Sequence, residues 1–136
     1  MEVVTYLTAD QVLALHEKAL TIGVSGGKGL RSEHLLFSAA YQPQQTFGGE
    51  DLYPSIAEKA AAYGFSIAEN QPFIDGNKRT ASLCMTVFLD LNGYVLHEGG
   101  EEELAAMLED LGKGIIERDE FTGWVVNHTR PSGDNE

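Results

Sequence analysis

Cysteine is nearly missing from this chain of 136 residues: Cys84 stands alone. No intramolecular disulfide can form. The residue lies in an apolar run, where a lone thiol packs as a small core side chain. Long apolar runs are missing too. None approaches the roughly eighteen residues that span a membrane. The start carries no basic-then-apolar leader, so an unexported, cytoplasmic location is the expectation. Positive charge is scarce, with 9 Lys and Arg against 21 Asp and Glu, a formal net charge of −12. Such a surface repels phosphate backbones and suits a basic partner better than a nucleic acid. No repeat and no linker divides the chain. What remains is an ordinary globular composition, 43% apolar and 22% charged, enough for one domain with its own core.

The apolar residues recur at helical spacing. Leu7–Leu20 reads as a helix, with Thr8 and Gln11 placed as a capping box. Gly23–Gly29 is a glycine-rich turn. Lys28 is followed by glycine, and Ile22 stands where a phosphate-binding loop would begin with glycine, so the turn reads as a connector. Ser32 can cap a second helix that ends near Pro43. Gln42–Asp51 is polar and keeps no helical period; Gln45–Phe47 can hold a short hairpin. This segment is either a surface loop or a flap over a site. Pro54 fits the first turn of a third helix, with a small-residue face of Ala57, Ala60, Ala61 and Gly64 that ends before Pro72. Asn77–Leu91 is apolar nearly all round, the pattern of a buried helix, and Asn92-Gly93 closes it. Tyr94–Leu96 reads as a brief extended piece, Glu101–Leu111 as a helix, and Asp119 as the cap of a last one through Phe121, Trp124, Val125 and His128. The expectation is an all-α bundle of about six helices over residues 1–128. Residues 129–136 carry no apolar pattern and read as a flexible tail.

The chemistry concentrates in Asn70-Gln71-Pro72-Phe73-Ile74-Asp75-Gly76-Asn77-Lys78-Arg79-Thr80-Ala81. A loop here enters the most apolar helix. The first amides of a helix lack internal partners and, with the helix dipole, form an anion site. Gly76 allows close approach, Asn77 offers an amide donor, and Lys78 and Arg79 add charge suited to phosphate. Asp75 would repel a bare phosphate; a bridging Mg²⁺ gives it a role. The plainer alternative is that Asp-Gly is a turn that caps the helix and the cations are a solvated first turn.

The string Gln71-Pro72-Phe73-Ile74-Asp75-Gly76-Asn77-Lys78-Arg79 resembles the signature of the Fic and death-on-curing (Doc) family, His-Pro-Phe-x-(Asp/Glu)-Gly-Asn-x-Arg. Eight of nine positions are compatible. The resemblance extends over nearly all of residues 5–128 and implies an all-α Fic fold. It assigns Mg²⁺ to Asp75, a phosphate-holding anion hole to Gly76, Asn77 and Lys78, and phosphate contact to Arg79. Phe73 becomes the core anchor of the loop, and the segment near Gln42–Asp51 a flap that pairs with an extended target. The catalytic positions are Gln71 and Arg79. The cofactors implied are Mg²⁺ and ATP or another nucleoside triphosphate. Lys78, followed by Arg79-Thr80-Ala81, is similar to the Doc branch, in which the nucleotide lies reversed and the γ-phosphate passes to a Ser or Thr of an elongation factor. The wider family transfers AMP, with glycine at position 78 and a second arginine at Ser82. Doc-like toxins pair with a small antitoxin. The inhibitory Ser/Thr-x-x-x-Glu-Gly/Asn segment of many family members is missing, since Phe65 precedes Glu69-Asn70 and Tyr94 precedes Glu98-Gly99. A separate neutralising partner follows, one that orders on binding.

Gln71 is the departure. It stands where the family has the histidine that takes the proton of the target hydroxyl. A carboxamide hydrogen-bonds but does not accept that proton, and losing a positioned base typically costs about 10²–10⁴ in rate. His16, His34, His97 and His128 lie far from the motif in sequence and read as surface or helix-face residues. Gln71 fits an engineered change, a natural inactive or repurposed member, or chemistry that leans on positioning rather than on a base. The function readings are therefore a weakened Doc-like phosphotransferase, a nucleotidyl transferase, and a non-catalytic module that binds nucleotide or antitoxin.

Overall fold

The computed structural model describes residues 3–21 and 29–133. The glycine-rich turn read at Gly23–Gly29 therefore lies, except for Gly29, outside the described residues. Among the described residues, six helices and two very short antiparallel strand pairs make an all-α fold, as the periodicity predicts.

α1 (Ala9–Thr21) starts at Thr8, whose hydroxyl accepts from Gln11 N while Gln11 Oε1 accepts from Thr8 N. This is the capping box expected from the sequence, two residues later than the apolar pattern alone places the helix start. α2 (Glu33–Tyr41) is capped by Ser32, whose side chain accepts from Leu35 N. A 3₁₀ turn at Gln42–Gln44 carries the chain past Pro43 into a hairpin of β1 (Thr46–Phe47) and β2 (Glu50–Asp51). Gly48 and Gly49 both have positive φ, 61° and 84°, the geometry that lets a two-residue loop match the strand twist.

α3 (Ile56–Asn70) begins on a full capping box of Ser55 and Glu58. Pro54 lies before the cap rather than in the first turn, since Ser55 supplies the side-chain acceptor that proline lacks. α4 (Asn77–Leu91) has the bounds expected from the sequence. α3, not α4, is the more enclosed of the two: every residue from Lys59 to Ala68 is buried, while α4 exposes Asp90 and Leu91. The small side chains of α3 admit neighbours on several sides, and α2, α4, α5 and α6 all pack on it. Gly64 faces Met85 of α4 and Phe121 of α6.

α5 (Gly100–Gly112) buries Leu104, Leu108 and Leu111. α6 (Arg118–Asn127) buries Phe121 and Val125. Its cap position is Glu117, with no side-chain bond, and Asp119 sits inside the first turn, where a carboxylate still favours the helix dipole. β3 (Tyr94–Leu96) pairs with β4 (Thr129–Pro131), and Ser132 N donates to Gly93 O at 2.9 Å. The start of the expected tail is thus tied to the body. Three residues ending in proline carry no strand period, which hides the pairing in the sequence.

Candidate active site

The motif loop rests on α1. His16 is only 2% exposed, and its ring stacks on Phe73 at 3.7 Å between centroids with 4° between planes. Its Nε2 donates to the Asp75 carbonyl at 2.8 Å, which fixes the hydrogen on Nε2 because a carbonyl only accepts. The sequence pattern suggests a helix-face residue remote from the motif, whereas the fold places it directly beneath. Its Nε2 is thus engaged in holding the loop backbone. Gly76 has φ 79°, and a Cβ there would meet Leu20 Cδ2 at 3.3 Å and His16 at 3.7 Å. The positive φ favours glycine there, and the space for a side chain is tight.

Within the loop, Asn77 clasps Phe73. Phe73 N donates to Asn77 Oδ1 at 3.0 Å, and Asn77 Nδ2 donates to Phe73 O at 2.9 Å. The carboxamide therefore shapes the loop first, and only its second Nδ2 hydrogen remains for an anion. Thr80, buried, returns its hydroxyl to Gly76 O at 2.7 Å. Phe73 is 1% exposed, at the place the resemblance assigns to a core anchor. The opposite edge of the loop runs along residues 29–32: Leu30 bridges Phe73, Ile74 N donates to Gly29 O at 3.0 Å, and Arg31 N and Ser32 N both donate to Pro72 O at 2.7 and 3.1 Å.

Above this scaffold opens a cleft of about 340 Å³. Gln71, Asp75, Gly76, Asn77, Lys78 and Arg79 line it, together with Ala68 and Ile74. Six of the seven residues singled out by the sequence thus meet at one cleft, with Phe73 buried below. Asp75 Oδ1 accepts from Gly76 N at 2.8 Å, which orients the carboxylate and leaves Oδ2 for a cation. One oriented carboxylate beside a helix N-terminus fits Mg²⁺, which is commonly held by one or two carboxylates plus phosphate and water. Asp75 would hold the metal. The amides at the start of α4 have no intrahelical acceptors and, with Lys78 and Arg79, would hold phosphate oxygens. Lys78 reaches across to α5: its Nζ lies 3.1 Å from Glu109 Oε2, and its chain passes Gly112, where a Cβ would lie 3.0 Å from Lys78 Cε. Lys78 first and Lys113 second hold the Glu109 carboxyl below its usual range.

The hairpin of β1 and β2 is rooted on a buried charge. Lys59, 0% exposed on α3, pairs with Asp51 Oδ2 of β2 at 3.0 Å and also donates to the Tyr53 carbonyl. Gln42 Nε2 adds a bond to Tyr53 Oη at 2.9 Å. At the far end Phe47 is 82% exposed, an apolar tip, and among the described residues β1 and β2 pair only with each other.

The motif loop, with an αL glycine at its end, thus feeds the N-terminus of α4, and the family comparison covers the same residues. The model of the Fic/DOC family matches residues 6–89, which spans α1 through most of α4 and the whole cleft. The chain belongs to the Fic/DOC family, whose members are nucleotide-dependent protein-modifying transferases. It is also 38% identical over 114 residues to Toxin Doc of Mycolicibacterium smegmatis, an alignment that covers 84% of this chain and 82% of that protein.

Proposed function

We propose that this chain is a Doc-type toxin that passes phosphate from Mg·ATP to a Ser or Thr hydroxyl of a translation elongation factor, with the step weakened by Gln71. The supporting observation is convergence: Gln71, Asp75 and the start of α4 face one cleft, so a carboxylate for the metal, amides for phosphate and the base position lie together. In this reading Asp75 orients the metal, Asn77 and Gly76 shape the cradle, and Lys78 and Arg79 balance phosphate charge. The flap's free edge receives an extended segment of the target. Lys78 and Ser82 favour phosphoryl over nucleotidyl transfer, because a long side chain crowds the outer end of the pocket and the second arginine is replaced. Inhibition falls to a separate antitoxin. Gln71 itself favours a second reading, a Fic-fold module that holds nucleotide or antitoxin without catalysis, since a carboxamide accepts no proton in the working pH range.

The test is the Gln71→His protein incubated with its target and ATP labelled at the α- or the γ-phosphate. Label from γ, with the unaltered chain slower by roughly 10²–10⁴, is the expected result, and Asp75→Ala in the same background should abolish it. Label from α alone sinks the kinase reading in favour of nucleotidyl transfer. No transfer from either, with an antitoxin still bound, leaves the binding module.

A further inference from the structure

Gln71 is the one non-glycine residue with positive φ among the described residues, at φ 49° and ψ 62°. A left-handed conformation costs a side-chain-bearing residue roughly 1–2 kcal/mol. It persists only where the surroundings hold it. The turn matters because it swings the chain off the axis of α3 and so decides where the residue-71 side chain starts.

We propose that Arg31 is the positioning residue that holds this turn and thereby places the side chain at position 71. The inference rests on the transferase reading above for its functional consequence, and on geometry alone for the contact. Arg31 Nε donates to Gln71 O at 2.7 Å, and Nη2 donates to Asn70 O at 2.7 Å. These carbonyls end α3, where no further turn supplies donors. A guanidinium offers both bonds from one rigid plane and complements the helix dipole. Lysine, with a single point of charge, cannot reproduce the fork. The backbone of the same residue bonds the next link, since Arg31 N donates to Pro72 O at 2.7 Å. Arg31 thus fastens three consecutive carbonyls, those of residues 70, 71 and 72. The side chain is itself exposed, so its removal opens no core cavity and water can reach the freed carbonyls. What is lost is the conformation of residue 71, while His16, Asn77 and Thr80 still fix residues 73–80 from the other side. The base position and the anion cradle are therefore held by different groups and can be separated by mutation.

The experiment reads both. In the otherwise unaltered chain, the ¹³Cα and ¹³Cβ shifts of residue 71 report its backbone conformation. Arg31→Gln should move them out of the left-handed range while the amide shifts of α4 stay in place. In the Gln71→His background, Arg31→Gln should lower kcat for transfer roughly tenfold to a hundredfold with KM for ATP unchanged, and Arg31→Lys should recover only part of the loss. If the residue-71 shifts do not change in Arg31→Gln, the proposal is overturned whatever the activity. Equal loss of kcat and rise of KM, or full rescue by lysine, also overturns it, because Arg31 would then act as a general charge. If Gln71→His with Arg31 intact transfers nothing, the transferase reading fails, and the shifts alone decide on the clamp.

Discussion

Asp51 and Lys59 form an ion pair whose two ends differ in exposure, and that difference sets the cost of breaking it from either side. The Lys59 side chain is 1% exposed and that of Asp51 51%. Removing Asp51 leaves an ammonium with one carbonyl partner and little water, the situation that costs about 3–5 kcal/mol in buried pairs. Removing the lysine leaves a carboxylate that water can take over, plus the Tyr53 carbonyl short of a donor, worth about 1 kcal/mol. Asp51→Ala should therefore lower the unfolding free energy by about 3 kcal/mol and Lys59→Met by about 1 kcal/mol, read from urea unfolding midpoints at constant slope. The reverse order would mean that water already reaches the lysine. The pair also shows why single residues are hard to read from a sequence. Lys59 in a helical pattern reads as solvated, and the aspartate that compensates it lies in a polar loop with no period. His16 is the same case: its partners Phe73 and Asp75 are more than fifty positions away in the chain, and nothing local announces the stack. Asp75, Gly76 and Lys78 were legible because their chemistry is contiguous.

Two glycines inside helices make the element scale testable with one kind of substitution. Both pay the same propensity cost relative to alanine, roughly 1 kcal/mol. At Gly64 an added Cβ would collide with Met85 Sδ and meet Phe121 at 3.1 Å, so the buried Met85 and Phe121 side chains must shift. Overpacking of that kind costs about 1–3 kcal/mol and outweighs the propensity gain. At Gly123, on the exposed face of α6, a Cβ meets nothing within 4 Å. Gly64→Ala should lower the thermal midpoint and Gly123→Ala should raise it. A gain from both would show that α3 and α4 do not need the close approach. Packing of this sort is where the sequence was most informative: the stripe of Ala57, Ala60, Ala61 and Gly64 already indicates a helix made for near contact, and the caps at Thr8 and Ser32 place two helix starts. The strand elements were legible only as hints, because two- and three-residue pairs such as β3 with β4 draw on backbone bonds and carry no side-chain signature.

At the scale of the whole molecule, two buried acids of the core set a limit on alkaline stability. Burial pushes the Cys84 thiol up from 9.0 to about 12. Burial likewise raises the Tyr63 hydroxyl above its ordinary value of 10.0, against the lowering effect of its bond to Leu7. Tyr63 Oη accepts from Leu7 N at 2.7 Å and donates to Leu7 O at 3.2 Å, so its protonated form joins the entry of α1 to α3. In the unfolded chain both groups ionise at their ordinary values; in the folded chain both keep their protons. The folded state then binds more protons than the unfolded one, and stability must fall as pH rises. Their contributions are complete below pH 9.0, and that of Cys84 is lost progressively up to about 12. Each such group contributes a slope of about 1.4 kcal/mol per pH unit. The unfolding free energy should therefore decline from pH 9 upward, from the thiol, and about twice as steeply above 10, where Tyr63 joins. Cys84→Ala should remove the first part of the decline and leave the second, in urea titrations from pH 8 to 11. The same thiol should react with a disulfide reagent at pH 8 only as fast as the protein unfolds. A free energy flat to pH 10, or a thiol that reacts in the folded state, would mean that water enters the core between α3 and α4, the two helices that bracket the cleft.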